Sequence, residues 1–182
     1  MVFKNMKSIQ LICTILALQL FFTGCNGQQV VPGKNLITME NKTNPYYSRT
    51  DTAHLNVSDA EWKKVLPDSL YQIARNKATE YAFSGKYWNQ DLKGDYFCAA
   101  CGNHLFKSEA KFASSCGWPS FFESIRPNSV KYIADRSHGM IRTEVLCGRC
   151  DSHLGHIFDD GPPPTYKRFC MNSISLDFEP ER

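Results

Sequence analysis

The chain has 182 residues, 42% of them hydrophobic and 13% aromatic, which suffices for one compact domain with a real core plus some tail. Its 21 Lys and Arg against 18 Asp and Glu leave it close to neutral. Affinity for nucleic acid rests on clustered cations that displace counterions, and nothing here points to such a partner.

The first 24 residues read as an export signal. MVFKNMK supplies a basic start, and SIQLICTILALQLFF supplies an apolar run too short for a comfortable membrane span. The run ends in FTGC, which resembles the lipobox of bacterial lipoproteins, with Phe22 where a leucine is usual. An uncleaved anchor or an ordinary signal peptide is the alternative. On the lipobox reading, residues 1–24 are a lipoprotein signal peptide and Cys25 receives lipid. The domain is then exported and anchored in a bacterial cell envelope, facing periplasm or exterior. Residues 25–57 are polar, with scattered Gly, Pro and Asn and no periodicity, so a flexible tether is expected there.

The domain proper is expected over residues 58–182. Ser58 followed by Glu61 is a capping box that opens a helix, and Pro67 starts a second one with Leu70, Ile73 and Ala74 on a single face. From Tyr96 onward the grammar changes to short apolar runs (YFC, HLF, KYI, RTEVLC, HIF, SISLDF) bounded by Gly, Ser, Asn and Pro. Such runs predict antiparallel strands, hence a mainly β fold behind a short helical region.

Of the eight cysteines, Cys13 falls in the export signal and Cys25 carries the lipid on the lipobox reading, so six remain for chemistry. CAAC (Cys98, Cys101) and CGRC (Cys147, Cys150) share a two-residue spacing that lets two thiolates face one tetrahedral ion, so two pairs predict one closed structural zinc site per chain. Redox-active dithiols are a second reading. Two disulfides are a third, since exported cysteines tend to oxidise. Cys116 in SSCGWPSF and Cys170 in RFCMNS remain. They could form a structural bridge. Against that, GWPSF sets Trp118 in a Gly/Pro turn, and HLGH places His153 and His156 directly after the second cysteine pair. A thiol near imidazole can be the reactive thiolate.

From about Ser58 to Phe178 the sequence resembles the methionine-R-sulfoxide reductases, the B type of peptide methionine sulfoxide reductase. GKYWNQDLKGDYFCAACGNHLF, SSCGWPSFFE, RSHGMIRTEVLCGRCDSHLGHIFDDGPPPT and RFCMNSISL carry the resemblance, in the family's order. It implies two antiparallel β-sheets bearing one structural zinc and no organic cofactor. It implies thiol-dependent reduction of the R epimer of methionine sulfoxide in oxidised proteins. Cys98, Cys101, Cys147 and Cys150 match the zinc positions, Cys170 the nucleophile and Cys116 the resolving cysteine. Trp118, His153, His156 and Asn172 match residues of the substrate pocket, with His156 the expected acid. A thioredoxin-like dithiol would recycle the enzyme, and a monomer is expected. His138 of SHGM matches a family motif whose role stays open. The charge of Arg168 could favour the Cys170 thiolate, but pairing at the surface is the expectation, because most arginines are solvated.

Overall fold

The computed structural model describes residues 44–182, which lie within one compact unit. The expected signal peptide, Cys25 and most of the tether fall outside the described residues. No helix among those described is long and apolar enough to cross a membrane.

Two short helices come first, α1 (Asp59–Val65) and α2 (Asp68–Ala74). The Ser58 side chain caps α1 by accepting from the Glu61 N–H. Acidic residues open the helix and Lys63 and Lys64 close it, complementing its dipole. Trp62 is buried edge-on against Tyr46, with ring centroids 5.1 Å apart. Leu70, Ile73 and Ala74 form the buried face of α2, as their spacing predicted.

Nine strands follow: β1 (Gly94–Cys98), β2 (His104–Lys107), β3 (Lys111–Phe112), β4 (Ser120–Phe121), β5 (Val130–Asp135), β6 (Arg142–Cys147), β7 (His153–Phe158), β8 (Arg168–Met171) and β9 (Leu176–Pro180). They make two antiparallel sheets, one ordered β2-β1-β9 and the other β3-β4-β8-β7-β6-β5. The fold is therefore the expected one. An aromatic seam joins the sheets: Phe106 stacks on Phe121 at 4.4 Å and meets Phe169 at 5.5 Å, while Tyr96 packs edge-on against Phe121 at 5.0 Å. All four rings are buried, and each contributes about 1.5–3 kcal/mol through the apolar area it removes from water.

Side chains alternate across a strand, so β7 and β8 present two faces. Phe169 and Met171 are buried on one of them, and Cys170 and His156 share the other.

Residues 44–57 lack regular structure, yet they do not run free where a tether was expected. Ser48 N–H donates to the Cys101 carbonyl and Leu55 N–H to that of Arg149, while Asn44 reaches the Ala100 carbonyl. The buried Arg149 guanidinium binds the carbonyls of Tyr46, Ala53 and Cys101 and pairs with Asp51 at 2.7 Å. Backbone carbonyls that would otherwise be orphaned thus gain partners, which holds the segment against the cysteine loops.

Candidate active site and metal centre

The two C-x-x-C pairs sit in two hairpins, Cys98 and Cys101 between β1 and β2, and Cys147 and Cys150 between β6 and β7. These hairpins belong to different sheets, so the cluster staples the sheets together. All four cysteines are buried and their sulfurs lie within 4.8 Å of one another. Cys98 and Cys150 stand 3.7 Å apart, Cys101 and Cys147 3.6 Å. A tetrahedron with metal–sulfur bonds near 2.3 Å has edges of about 3.8 Å, so the set fits one zinc ion without rearrangement. All six described cysteines are free thiols, and the cluster is not built as two disulfides. The four residues can hold a metal ion, and four thiolates at this spacing are consistent with zinc.

Cys116 and Cys170 come together 54 residues apart in sequence, with their sulfurs 3.5 Å apart. β4 and β8 make this possible, because Ser120 is the register partner of Cys170. Two glycines permit close approach. A Cβ at Gly155 would lie 2.1 Å from the Cys170 carbonyl oxygen. At Gly117, whose φ is +89°, it would lie 2.8 Å from Ala82 and 2.9 Å from the Phe83 nitrogen.

Cys170 opens into a pocket of about 120 Å³ lined by Trp118, Arg142, His156, Phe158 and Asn172. A larger cavity of about 650 Å³ includes Ile157 and Phe169, on the opposite face of the same strands, and no cysteine lines it. Chemistry, not size, selects the smaller one.

The two thiols differ electrostatically. Burial pushes the Cys170 thiol up to about 12, and the neighbouring Cys116 adds to this while Arg168 opposes it. Burial raises Cys116 too, but hydrogen bonds with Ser114, Ser120, the Trp118 backbone and Cys170 outweigh it and bring that thiol down to about 7. Cys170 is therefore the less readily ionised thiol of the two. Arg168 forks onto the exposed Asp160 with two 2.8 Å bonds and lies over the Phe158 ring, but its own side chain is only 14% exposed and its charge favours the Cys170 thiolate, so it is more than a surface partner.

Of the remaining predicted residues, Trp118, His156 and Asn172 line the pocket with Cys170, whereas His153 is not among its lining residues. The Trp118 indole N–H donates to the Glu80 carbonyl at 3.2 Å, which fixes the ring in the pocket wall. His156 is the cross-strand partner of Cys170, and its Nε2 lies 2.8 Å from Asp135 Oδ2. His153 is buried, with Nδ1 2.7 Å from Glu144 Oε1 and no protein partner for Nε2. Burial lowers the His153 imidazole from its ordinary value, although Glu144 pulls upward. Asn172 lines the pocket while its carboxamide braces backbone, accepting from Glu80 N–H and donating to the Leu154 carbonyl. His138 sits exposed in the β5–β6 turn and does not line the pocket.

Glu80, Asp135, Arg142 and Glu144 were missed by sequence reasoning. Glu80 ties the α2–β1 connection to three parts of the site: Asn172, Trp118, and the N–H groups of Ser173 and Ile174. Isolated charged residues carry no local pattern that would have exposed these roles.

The two-sheet β fold thus carries a buried four-sulfur knot and, apart from it, an accessible thiol pair that shares its pocket with an imidazole. The SelR domain model matches residues 66–180. The peptide methionine sulfoxide reductase MsrB of Herminiimonas arsenicoxydans is 54% identical over 122 residues, covering 67% of this chain and 89% of that protein. Its counterparts from Thiobacillus denitrificans and Agrobacterium fabrum are 53% and 51% identical over 124 and 126 residues, covering 68% and 69% of this chain and 94% and 93% of theirs. The chain belongs to the methionine sulfoxide reductase B family.

Proposed function

We propose that this peptide-methionine (R)-S-oxide reductase works through Cys170 as nucleophile and Cys116 as resolving thiol, a reading carried by their 3.5 Å contact at the pocket. The Cys170 sulfur attacks the sulfoxide sulfur. The sulfoxide oxygen leaves to Cys170, methionine is released and Cys170 becomes a sulfenic acid. Thiol plus sulfoxide gives sulfenic acid plus sulfide with no outside proton, so the proton held on Cys170 completes the balance. His156 in the pocket wall relays it to the departing oxygen. His153 and Asn172 orient the oxygen or a water. The Trp118 indole gives the S-methyl group an apolar wall, which reads sulfoxide chirality by shape.

Cys116 then condenses with the sulfenic acid, forming a disulfide and releasing water. An external thioredoxin-like dithiol reopens the bridge by exchange. Zinc, held by Cys98, Cys101, Cys147 and Cys150, serves structure rather than a reaction step. The export signal and Cys25, read from sequence, place the repair of oxidised proteins in a bacterial cell envelope, with the enzyme acting as a lipid-anchored monomer.

A single-turnover assay of Cys116→Ser on separated sulfoxide epimers tests the scheme. One equivalent of methionine should form from the R epimer and none from the S epimer, with no further turnover by a thioredoxin-like donor. Absence of product from R, or equal product from both, overturns it.

A further inference from the structure

The motif around His138 closes the hairpin between β5 and β6. Asp135, the last residue of β5, is the register partner of Arg142, the first of β6. Between them His138 and Gly139 adopt left-handed backbone with φ of +54° and +70°, which reverses the chain tightly. Ser137 N–H donates to Asp135 Oδ1 at 2.9 Å. The second oxygen, Oδ2, is left to meet Arg142 Nη2 at 2.6 Å and His156 Nε2 at 2.8 Å. The Asp135 and His156 side chains are only 14% and 13% exposed, so water competes weakly for this contact.

We propose that Asp135 is the positioning residue of His156, fixing its ring plane and its tautomer for the proton transfer to the sulfoxide oxygen. The inference rests on His156 being the acid proposed above. Ser137 and Arg142 also hold the carboxylate, so it stands as a fixed acceptor beside the imidazole. The consequence of the contact falls on the imidazole. An imidazole whose Nε2–H is committed to a carboxylate has one tautomer and one ring orientation, as in other sites where a carboxylate orients a working histidine. Hydrogen bonds from Ser137, and then from His156, hold the Asp135 carboxyl well below the usual carboxylate range, so the acceptor is an anion at any physiological pH. The same carboxylate oxygen pins Arg142, which lines the pocket beside His156. The turn thereby delivers one brace and one pocket wall together.

The test is a double-mutant cycle on the intact reductase, reading the single-turnover rate of methionine formation from an R-sulfoxide peptide. Asp135→Ala should slow that step by about a hundredfold, the lower range of a general acid's contribution, with KM changed less than about threefold. Asp135→Asn keeps the shape and should fall between wild type and Asp135→Ala; an unchanged melting temperature and zinc content show that it folds. In a His156→Ala background, Asp135→Ala should cost nothing further. An equal loss in that background would make Asp135 a brace of the hairpin only and overturn the proposal. So would Asp135 variants that keep the wild-type rate while His156→Ala is slow. A His156→Ala enzyme at the wild-type rate would instead refute the acid assignment itself, and the positioning role with it.

Discussion

Two sulfur clusters in this molecule keep nearly the same spacing in opposite surroundings. The sulfurs of the four-cysteine knot approach to 3.6–3.7 Å, and those of the Cys116–Cys170 pair to 3.5 Å. Distance does not separate structural sulfur from reactive sulfur here. Enclosure does. The knot is buried on every side, joins two sheets and lies under residues 44–57. The pair opens into a pocket, each cysteine is only partly buried, and unequal surroundings set the two thiols far apart in acidity. Four enclosed thiols suit a closed metal site, whereas a thiol pair open to a pocket suits chemistry on a bound substrate.

Serine substitutions should break this comparison most sharply. Cys170→Ser should abolish sulfoxide reduction even with dithiothreitol while retaining one zinc per chain and a normal melting curve. Cys98→Ser should do the reverse in order: zinc and folding fail first, and activity with them, since metal binding at such a site is folding free energy. Metal analysis and thermal denaturation of both variants decide the matter.

Alkylation against pH sharpens the contrast within the pair. In the reduced enzyme, iodoacetamide should label Cys116 with a midpoint near its value of about 7, while Cys170, held at about 12, stays largely unlabelled through pH 9. Reactivity rises with pH because the thiolate is the nucleophile. Peptide mapping of the adduct reads which sulfur reacted. Preferential labelling of Cys170 near neutrality would reverse the assigned order of ionisation.

The smallest effect is expected at the cover over the knot. Arg149→Met removes the donors that tie residues 46, 51 and 53 to the Cys101 loop. A loss of about 2–4 kcal/mol is expected, because several buried carbonyls lose a charged partner. Urea denaturation measures the loss, and faster zinc transfer to a chelator, with the pocket chemistry intact, shows that the cover guards the metal site alone.

Much of the fold was legible because its signals are local. Ser58 and Glu61 announce a helix start through a hydrogen bond across three residues. Two-residue cysteine spacing announces a metal-ligand turn before any partner is known. Short apolar runs marked most of the strands. The two-residue strands β3 and β4 carry no such run, yet β4 is what sets Cys116 beside Cys170. Residues 44–57 look like linker by composition, and partners far along the chain, Arg149 and the Ala100 and Cys101 carbonyls, turn them into a docked segment.

The sequence by itself thus determined the domain class, the four metal-ligand candidates and, through resemblance to a family, the candidates for nucleophile and partner. Tertiary structure alone decided that Asp135 holds His156, that Glu144 holds His153, and that Glu80 reaches residues more than ninety positions away. The physical reason is the range of the interaction. Caps, turns and ligand spacings act within a few residues and leave a pattern in the chain. A carboxylate that orients an imidazole across strands works through geometry that exists only once the sheet has formed.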